Sequence, residues 1–191
     1  MSRWEPGARE RLVVAAVDLF TEQGYDATTV AQIADRAGVT KSTFFRHFPD
    51  KRELLAAGQE AMSQLLTEGI TEAPADATPL EAVAAGLERV ATMLGPLNRE
   101  LAPRLKAAIA ASTELQERDA LKTVGLTAAM VAALAARGIA DPVAALAAEL
   151  GVLAFKRGYA TWLESDRPDA PFAPYALAAL DELQAARSAL G

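Results

Sequence analysis

Residues 28–52 read TTVAQIADRAGVTKSTFFRHFPDKR, and this stretch decides the fold of the chain. Thr29 and Gln32 have the spacing of a capping box, which predicts that a helix starts at Thr29. Gly38 suits the left-handed conformation that ends a helix. Thr40 then offers an N-cap oxygen for a second helix. A helix, a glycine turn and a second helix together predict a helix-turn-helix unit.

The second helix, predicted over residues 41–47, lies in a locally cationic segment. Residues 40–52 carry a net charge of +3, from four Lys or Arg and one Asp, in a chain whose net charge is −6. A local excess of positive charge is what the phosphate backbone of DNA attracts. Phe44 and Phe48 are four residues apart and share a helix face, so both rings are predicted to point inward.

The order of these residues resembles the DNA-binding domain of TetR-family transcriptional regulators. The resemblance covers residues 8–55, and the segment AAVDLFTEQGY at residues 15–25 fits the first helix of that domain. It implies a regulator, most often a repressor in such families, that binds a pseudo-palindromic operator on double-stranded DNA as a homodimer. The family usually has tyrosine where this chain has Phe45. Members that resemble mycofactocin regulators share the segment FFRHF at residues 44–48.

The candidate DNA-binding residues lie on and beside the second helix. Arg and Lys hold phosphates or read guanine, and Thr contacts a phosphate or a thymine methyl. Phe45 has no hydroxyl to donate, but it can contact a thymine methyl or a sugar. His47 is the chain's one histidine and cannot build a zinc site alone. The alternative is a solvated charged face. The full set of candidates is Thr29, Thr40, Lys41, Ser42, Thr43, Phe45, Arg46, His47 and Lys51.

Composition predicts an all-α fold of about nine helices, because alanine is abundant and no run of alternating β-branched residues occurs. The absence of cysteine excludes disulfides, thiolate metal sites and cysteine nucleophiles. Phosphate loops, serine elbows and metal-ligand clusters are also missing, so we predict no catalytic site, no metal, no cofactor and no enzyme. No long uncharged apolar stretch and no signal-peptide core occur, which predicts a cytoplasmic protein without a membrane span.

Two domains are predicted. Residues 1–49 form the helix-turn-helix DNA-binding domain, and residues 50–191 form a helical ligand-binding and dimerisation domain, with a connecting helix over about residues 50–70. The last two helices are apolar around much of their circumference, which indicates burial on more than one side. The resemblance implies that they form a two-fold symmetric dimer interface, and the alternative is a core within one chain. The dimerisation candidates are Leu146, Leu150, Leu153, Trp162, Leu177 and Leu180.

The resemblance also implies a small-molecule site in the second domain. Such pockets are mainly apolar, and the same residues would equally serve as core. The basic pair Lys156 and Arg157 suits an anionic, acyl-CoA-like effector, or else a surface ion pair. A separate hypothesis, suggested by Phe45 and the acidic pI, is a helical protein-interaction module with a vestigial helix-turn-helix. The ligand-binding candidates are Met62, Leu66, Val90, Met93, Ile109, Met130, Phe155 and Tyr159.

Overall fold

The computed structural model describes residues 7–54 and 58–189, and the secondary structure of these residues is entirely helical. They form one 3-10 turn at Arg52–Leu54 and nine α-helices. The α-helices are α1 (Ala8–Gln23), α2 (Val30–Arg36), α3 (Lys41–His47), α4 (Gln59–Glu72), α5 (Pro79–Ala91), α6 (Pro96–Ala110), α7 (Thr113–Ala136), α8 (Val143–Glu164) and α9 (Ala173–Ala189). The prediction of an all-α fold with about nine helices is confirmed.

Local capping explains where several helices begin. The hydroxyl of Thr29 accepts the backbone N–H of Gln32, and the side chain of Gln32 accepts the backbone N–H of Thr29 at 2.9 Å. Thr78 and Glu81 form the same reciprocal pair at the start of α5, with Pro79 in the first turn. Each pair satisfies backbone donors that have no partner inside the helix.

The described residues form two compact units. The N-terminal unit comprises residues 7–54 and 100–121, and the C-terminal unit comprises residues 58–99 and 122–189. The chain therefore returns to the N-terminal unit late in the sequence, through the end of α6 and the start of α7. The predicted division into residues 1–49 and 50–191 did not include this return.

The connecting helix predicted over residues 50–70 is not continuous. A 3-10 turn covers Arg52–Leu54, and residues 55–57 lie outside the described part of the chain. Gly58 then has φ +87° and stands immediately before α4. A positive φ interrupts regular helix and is favourable only for glycine, so α4 begins at Gln59 and not at Asp50.

The N-terminal unit is held together by an apolar core beneath the helix-turn-helix. α1 packs on α2 and α3, and its fully buried Leu12 lies in the same cluster as Ile33 and Phe44. Two residues of the returning segment, Ala108 and Leu115, are buried in this cluster as well. The core of the N-terminal unit is therefore completed by residues that lie far from the helix-turn-helix in sequence.

In the C-terminal unit α4 packs on α5, α8 packs on α9, and α5 packs on both α8 and α9. The approach of α4 to α5 is close because both helices present glycine there. A Cβ on Gly69 would lie 2.5 Å from the carbonyl oxygen of Ala85. Gly158 of α8 lies equally close to the backbone of Ala176 in α9, where a Cβ would be 2.7 Å from Cα.

One described helix, α7, is long and apolar enough to cross a membrane by length and composition alone. Its most apolar window has a mean hydropathy of 1.4 and is 22% buried. The prediction that no such segment occurs used a stricter rule, which allowed no charge within the window. Helices of water-soluble helical proteins satisfy the same length and composition, so this finding leaves the fold assignment unchanged.

Candidate nucleic-acid interface

The turn between α2 and α3 has the geometry that the sequence predicts. Gly38 has φ +66°, and the N–H of Val39 donates to the carbonyl of Ala34 at 2.9 Å. Arg11 of α1 donates from Nε to the carbonyl of Ala37 at 3.1 Å. These contacts satisfy the carbonyl groups at the end of α2 and fix the angle at which α3 leaves the turn.

Two aromatic rings fix the rotation of α3 about its own axis. Phe44 is 0% exposed and Phe48 is 2% exposed, and their ring centroids are 5.8 Å apart. Arg9 covers the Phe48 ring at 5.2 Å. Because these rings are buried on one side, the opposite side of α3 must face solvent.

Polar and cationic side chains occupy the solvent side of α3. Lys41, Ser42, Phe45 and Arg46 are exposed, and Thr43 and His47 are partly buried. We call these six residues the recognition face. It brings together six of the nine DNA-binding candidates and carries the charges of Lys41 and Arg46 into solvent, where a phosphate or a base edge is accessible to them.

The two threonine candidates at the helix starts already serve as caps. Thr29 belongs to the capping box of α2. The Thr40 hydroxyl accepts the backbone N–H of Thr43 at 3.1 Å and lies 3.0 Å from the Thr43 hydroxyl. Both capping residues are exposed, and each hydroxyl stabilises the start of its helix.

Lys51, predicted to contact DNA phosphate, makes contacts inside the N-terminal unit. Its Nζ donates to the carbonyl oxygens of Tyr25 at 2.8 Å and of Thr28 at 3.0 Å. The same ammonium lies 4.0 Å from the centre of the Tyr25 ring. An ammonium has three protons to donate, and two of them are used by backbone groups of the loop that precedes α2. Lys51 therefore stabilises the loop before α2, a structural role that the sequence pattern did not indicate.

Ion pairs surround the helix-turn-helix. Asp50 accepts the backbone N–H groups of Arg52 and Glu53 and pairs with the Arg52 side chain. The hydrogen bond from the Arg52 side chain lowers the pKa of the Asp50 carboxyl below its ordinary value. Arg36 makes a two-pronged pair with Glu22, at 2.9 and 2.8 Å, and this hydrogen bond lowers the pKa of Glu22.

Sequence reasoning missed the residues that the returning segment contributes. Tyr25 donates its hydroxyl proton to Oε1 of Glu114 at 2.8 Å, and Arg118 donates to Glu53 at 2.9 Å. Arg104 pairs with Asp18 of α1. No local pattern marks these positions, because each reads in sequence as an ordinary charged residue on a helix surface. Only the fold brings them beside the helix-turn-helix.

The ligand-binding candidates divide between the two units. Met62, Leu66, Val90 and Met130 are buried in the core of the C-terminal unit, and Met93, Phe155 and Tyr159 are partly buried against that core. Ile109 instead packs on the core of the N-terminal unit. The fold therefore separates Ile109 from the other seven candidates, because the end of α6 belongs to the N-terminal unit.

Two of these candidates, Phe155 and Tyr159, belong to an aromatic cluster. Phe155 and Tyr159 stack with centroids 5.8 Å apart, and both lie against Phe172. Burial raises the pKa of Tyr159. The basic pair is on the surface, where Arg157 lies 3.6 Å from Glu182, which is the surface ion pair given as the alternative.

The dimerisation candidates divide between the surface and the core. Leu146 is 53% exposed and Leu153 is 43% exposed, whereas Leu150 and Leu177 are partly buried. Trp162 and Leu180 are 2% and 3% exposed within a single chain. The indole N–H of Trp162 donates to the carbonyl of Ala170 at 2.7 Å. These two residues lie in the core of the chain itself, whereas Leu146 and Leu153 leave apolar surface exposed.

Comparison with known proteins agrees with the geometry. The family model described as bacterial regulatory proteins, tetR family, matches residues 12–57. The chain is 37% identical over 82 residues to the HTH-type transcriptional regulator TcmR of Streptomyces glaucescens, an alignment that covers 43% of this chain and 36% of TcmR. It is 30% identical over 137 residues to the HTH-type transcriptional repressor KstR of Mycobacterium tuberculosis, covering 70% of this chain and 59% of KstR. The matches thus span between about a third and three fifths of these relatives' lengths.

A solved structure shows the same fold over nearly the whole chain. The crystal structure of Thermus thermophilus FadR, a TetR-family transcriptional repressor in complex with lauroyl-CoA, superposes with a TM-score of 0.51 at 20% identity. The superposition covers 92% of this chain and 93% of FadR. The helix-turn-helix sequence, its caps and its buried rings agree with these comparisons, and the chain belongs to the TetR family of bacterial regulatory proteins.

Proposed function

We propose that the protein is a cytoplasmic, ligand-responsive transcriptional regulator that binds a pseudo-palindromic operator as a homodimer. The observation that carries this proposal is the recognition face of α3, with Lys41, Phe45 and Arg46 exposed while Phe44 and Phe48 hold the helix on its core. A recognition helix must present its outer side to the major groove while its inner side stays packed. We propose that it represses transcription when bound to the operator.

The charge distribution supports DNA as the partner. The cations of the recognition face lie in a chain whose net charge is −6, so the remaining surface repels DNA and the contact is confined to this region. Lys41 and Arg46 have the chemistry to contact phosphates or guanine, and Ser42, Thr43 and His47 have the hydrogen-bonding groups to contact phosphates.

The exposed face of α8 supports dimerisation. Val143, Leu146, Leu150 and Leu153 recur at three- and four-residue spacing, and three of the four are at least 43% exposed. A contiguous apolar stripe on a helix is stabilised when a second helix covers it. In a two-fold dimer the same stripe on each subunit covers the other, and two recognition helices then reach successive major grooves roughly 34 Å apart.

The effector is proposed to be a small apolar molecule bound in the C-terminal unit. The aromatic residues Phe155 and Tyr159 provide partly buried apolar surface there. Acyl-CoA is one class to test, because the structural neighbour FadR was solved with lauroyl-CoA. Binding would favour a separation of the two recognition helices that no longer fits the operator. Coupling between two sites of this kind typically amounts to about 1–3 kcal/mol.

A selection from random DNA duplexes, at low and near-physiological salt, tests the proposal. We expect an inverted repeat to be enriched, with affinity that falls steeply as salt rises. Lys41→Ala should weaken binding, and Lys156→Ala is the matched control because it removes the same charge from the exposed surface of α8. Lauroyl-CoA, which has an apolar acyl chain, and small apolar compounds are then added to the bound complex to find one that releases it.

Two results would overturn the operator proposal. One is the enrichment of no sequence together with loss of binding at physiological salt. The other is equal loss of affinity in Lys41→Ala and Lys156→Ala. Capture of a protein partner through a salt-insensitive contact would instead support the interaction-module hypothesis, since apolar contacts do not release counterions.

A further inference from the structure

Phe45 is an unusual residue at the place where it lies. Its side chain is 55% exposed on the recognition face, whereas the adjacent Phe44 is 0% exposed. Its neighbours one helical turn earlier are Lys41 and Ser42, and both are exposed. An aromatic ring therefore projects into solvent from the middle of a polar, cationic surface, where it gains nothing from burial in the free protein.

The ring of Phe45 is held in position by the core beneath it. Its edge meets Phe44 with ring centroids 5.4 Å apart and an angle of 82° between the ring planes. Such edge-to-face pairs are favourable. Phe44 is fixed in turn because it is fully buried and lies 5.8 Å from Phe48. Phe45 is thus oriented before any partner binds, which reduces the entropy lost on binding.

The chemistry of the major groove limits what this ring can contact. The base edges present hydrogen-bond donors and acceptors, and the one apolar group among them is the 5-methyl of thymine. A phenyl ring placed over a polar base edge would remove water from that edge without replacing its hydrogen bonds, which is unfavourable. Over a thymine methyl the ring removes water from apolar surface alone, which is favourable.

We propose that Phe45 determines sequence specificity by packing against the 5-methyl group of one thymine in each operator half-site. This inference rests on the proposed function, since it presupposes an operator. It assigns apolar readout to Phe45 and leaves phosphate positioning to Lys41 and Arg46. The operator should therefore contain one thymine per half-site, at symmetric positions, whose methyl group cannot be removed without loss of affinity.

The experiment uses the enriched operator and replaces each thymine pair, one symmetric pair at a time, by deoxyuridine. Deoxyuridine keeps every hydrogen-bonding group of thymine and lacks only the methyl. At one symmetric pair we expect affinity to fall about threefold to fivefold for each methyl removed, which corresponds to the burial of one carbon. Phe45→Ala should bind the thymine operator more weakly and show no further loss with deoxyuridine at that pair.

Two variants act as controls. Phe45→Leu keeps an apolar side chain and should retain part of the sensitivity to the methyl group. Ser42→Ala removes a neighbouring polar group from the same face. It should weaken binding to the thymine and deoxyuridine operators by the same factor, and so retain the full sensitivity to the methyl group. Because Phe45 is largely exposed, its replacement should leave the melting temperature nearly unchanged, which circular dichroism verifies for each variant.

The outcomes separate this inference from the proposed function. If the wild-type protein enriches no operator, both are overturned. If it binds an operator and no deoxyuridine pair lowers its affinity, the function stands and the role of Phe45 is overturned. The role is also overturned if Phe45→Ala keeps the same sensitivity as wild type, because the methyl group would then be read by another residue.

Discussion

Tyr25 donates its hydroxyl proton to Glu114 at 2.8 Å, and this bond joins residues that are 89 positions apart in the chain. Tyr25 follows α1 and is 4% exposed, whereas Glu114 lies in the first turn of α7. Arg52 lies 3.4 Å from the same carboxylate. The segment of residues 100–121 is therefore tied to both sides of the helix-turn-helix, before α2 and after α3. The chain leaves this segment in both directions for the C-terminal unit.

Tyr25→Phe should destabilise the N-terminal unit by about 1 kcal/mol. The change removes one hydrogen bond to a carboxylate, and Glu114 is partly exposed, so the loss lies at the low end for bonds to charged groups. Thermal and urea unfolding measure the change. Tyr175→Phe removes a hydroxyl from α9 in the C-terminal unit and serves as the control. An unchanged midpoint for Tyr25→Phe would show that the bond to Glu114 contributes nothing.

The ionisation of Tyr25 predicts a loss of stability at alkaline pH. Burial, and then the hydrogen bond to Glu114, raise the pKa of Tyr25 above its ordinary value. A group whose pKa is raised in the folded state stabilises the fold fully at pH values below its unfolded pKa, which is about 10 for tyrosine. Its contribution to the free energy of unfolding decreases as the pH rises above that value. The free energy of unfolding of wild type should thus fall above that pH more steeply than that of Tyr25→Phe. Parallel curves for the two proteins would contradict this assignment.

Lys51→Ala and Lys41→Ala should have opposite effects: the first should lower stability, and the second should lower DNA affinity. Lys51→Ala removes a donor from the carbonyls of Tyr25 and Thr28, so we expect the free energy of unfolding to fall by about 1–3 kcal/mol. Lys41 is exposed, so Lys41→Ala should keep the melting temperature within a few degrees. If Lys41 contacts a phosphate, its loss should reduce the slope of log affinity against log salt by about 1. Calorimetry and a salt titration on each variant measure both effects, and the reverse pattern would return Lys51 to the DNA interface.

Local signals were sufficient for much of this fold. Thr29, Gly38 and Thr40 act through hydrogen bonds and backbone angles within three or four residues of their own positions. Capping and turn formation are local physics, so a single sequence contains the information. The burial of Phe44 beside an exposed Phe45 also follows from helical periodicity.

The remaining features depend on contacts that are distant in sequence. Lys51 reads as a surface cation at a helix start, and its carbonyl partners lie 23 and 26 residues upstream. Trp162 reads as interface because α8 is apolar on several sides, yet its indole is bound to Ala170 in the same chain. Periodicity shows that a face is buried but not what covers it, and in the single chain Trp162 is covered by residues of that chain.

The exposed stripe of α8 predicts how the proposed dimer can be dissociated without unfolding the subunit. Leu153→Glu places a charge on a residue that is 43% exposed in one chain, so it should dissociate the dimer and leave the fold intact. Light scattering coupled to gel filtration measures the mass, and circular dichroism verifies the fold. Glu149→Ala, at an exposed polar position of the same helix, is the control. A dimer that survives changes at both Leu146 and Leu153 would place the interface elsewhere.

The crossing of α4 and α5 provides the sharpest test of packing. A Cβ on Gly69 would lie 2.5 Å from the carbonyl oxygen of Ala85 and 2.7 Å from Cα of Gly86. Backbone atoms cannot yield as a side chain does, so Gly69→Ala should force the two helices apart at a cost of about 1–3 kcal/mol. Gly125→Ala is the matched control because Gly125 also lies inside a helix, and its added Cβ would meet only the side-chain amide of Gln59, at 2.7 Å.

These two glycines separate packing from helix propensity. Alanine is favoured over glycine inside a helix by about 1 kcal/mol, so propensity alone predicts that both variants are more stable. The amide of Gln59 is the end of a flexible side chain and can rotate away, so Gly125→Ala should be neutral or stabilised. Gly69→Ala should be destabilised in spite of its gain in propensity, since the steric term is larger. Urea unfolding measures the free energy of unfolding of both variants. Equal stabilisation of the two would mean that α4 and α5 are not in close contact at Gly69.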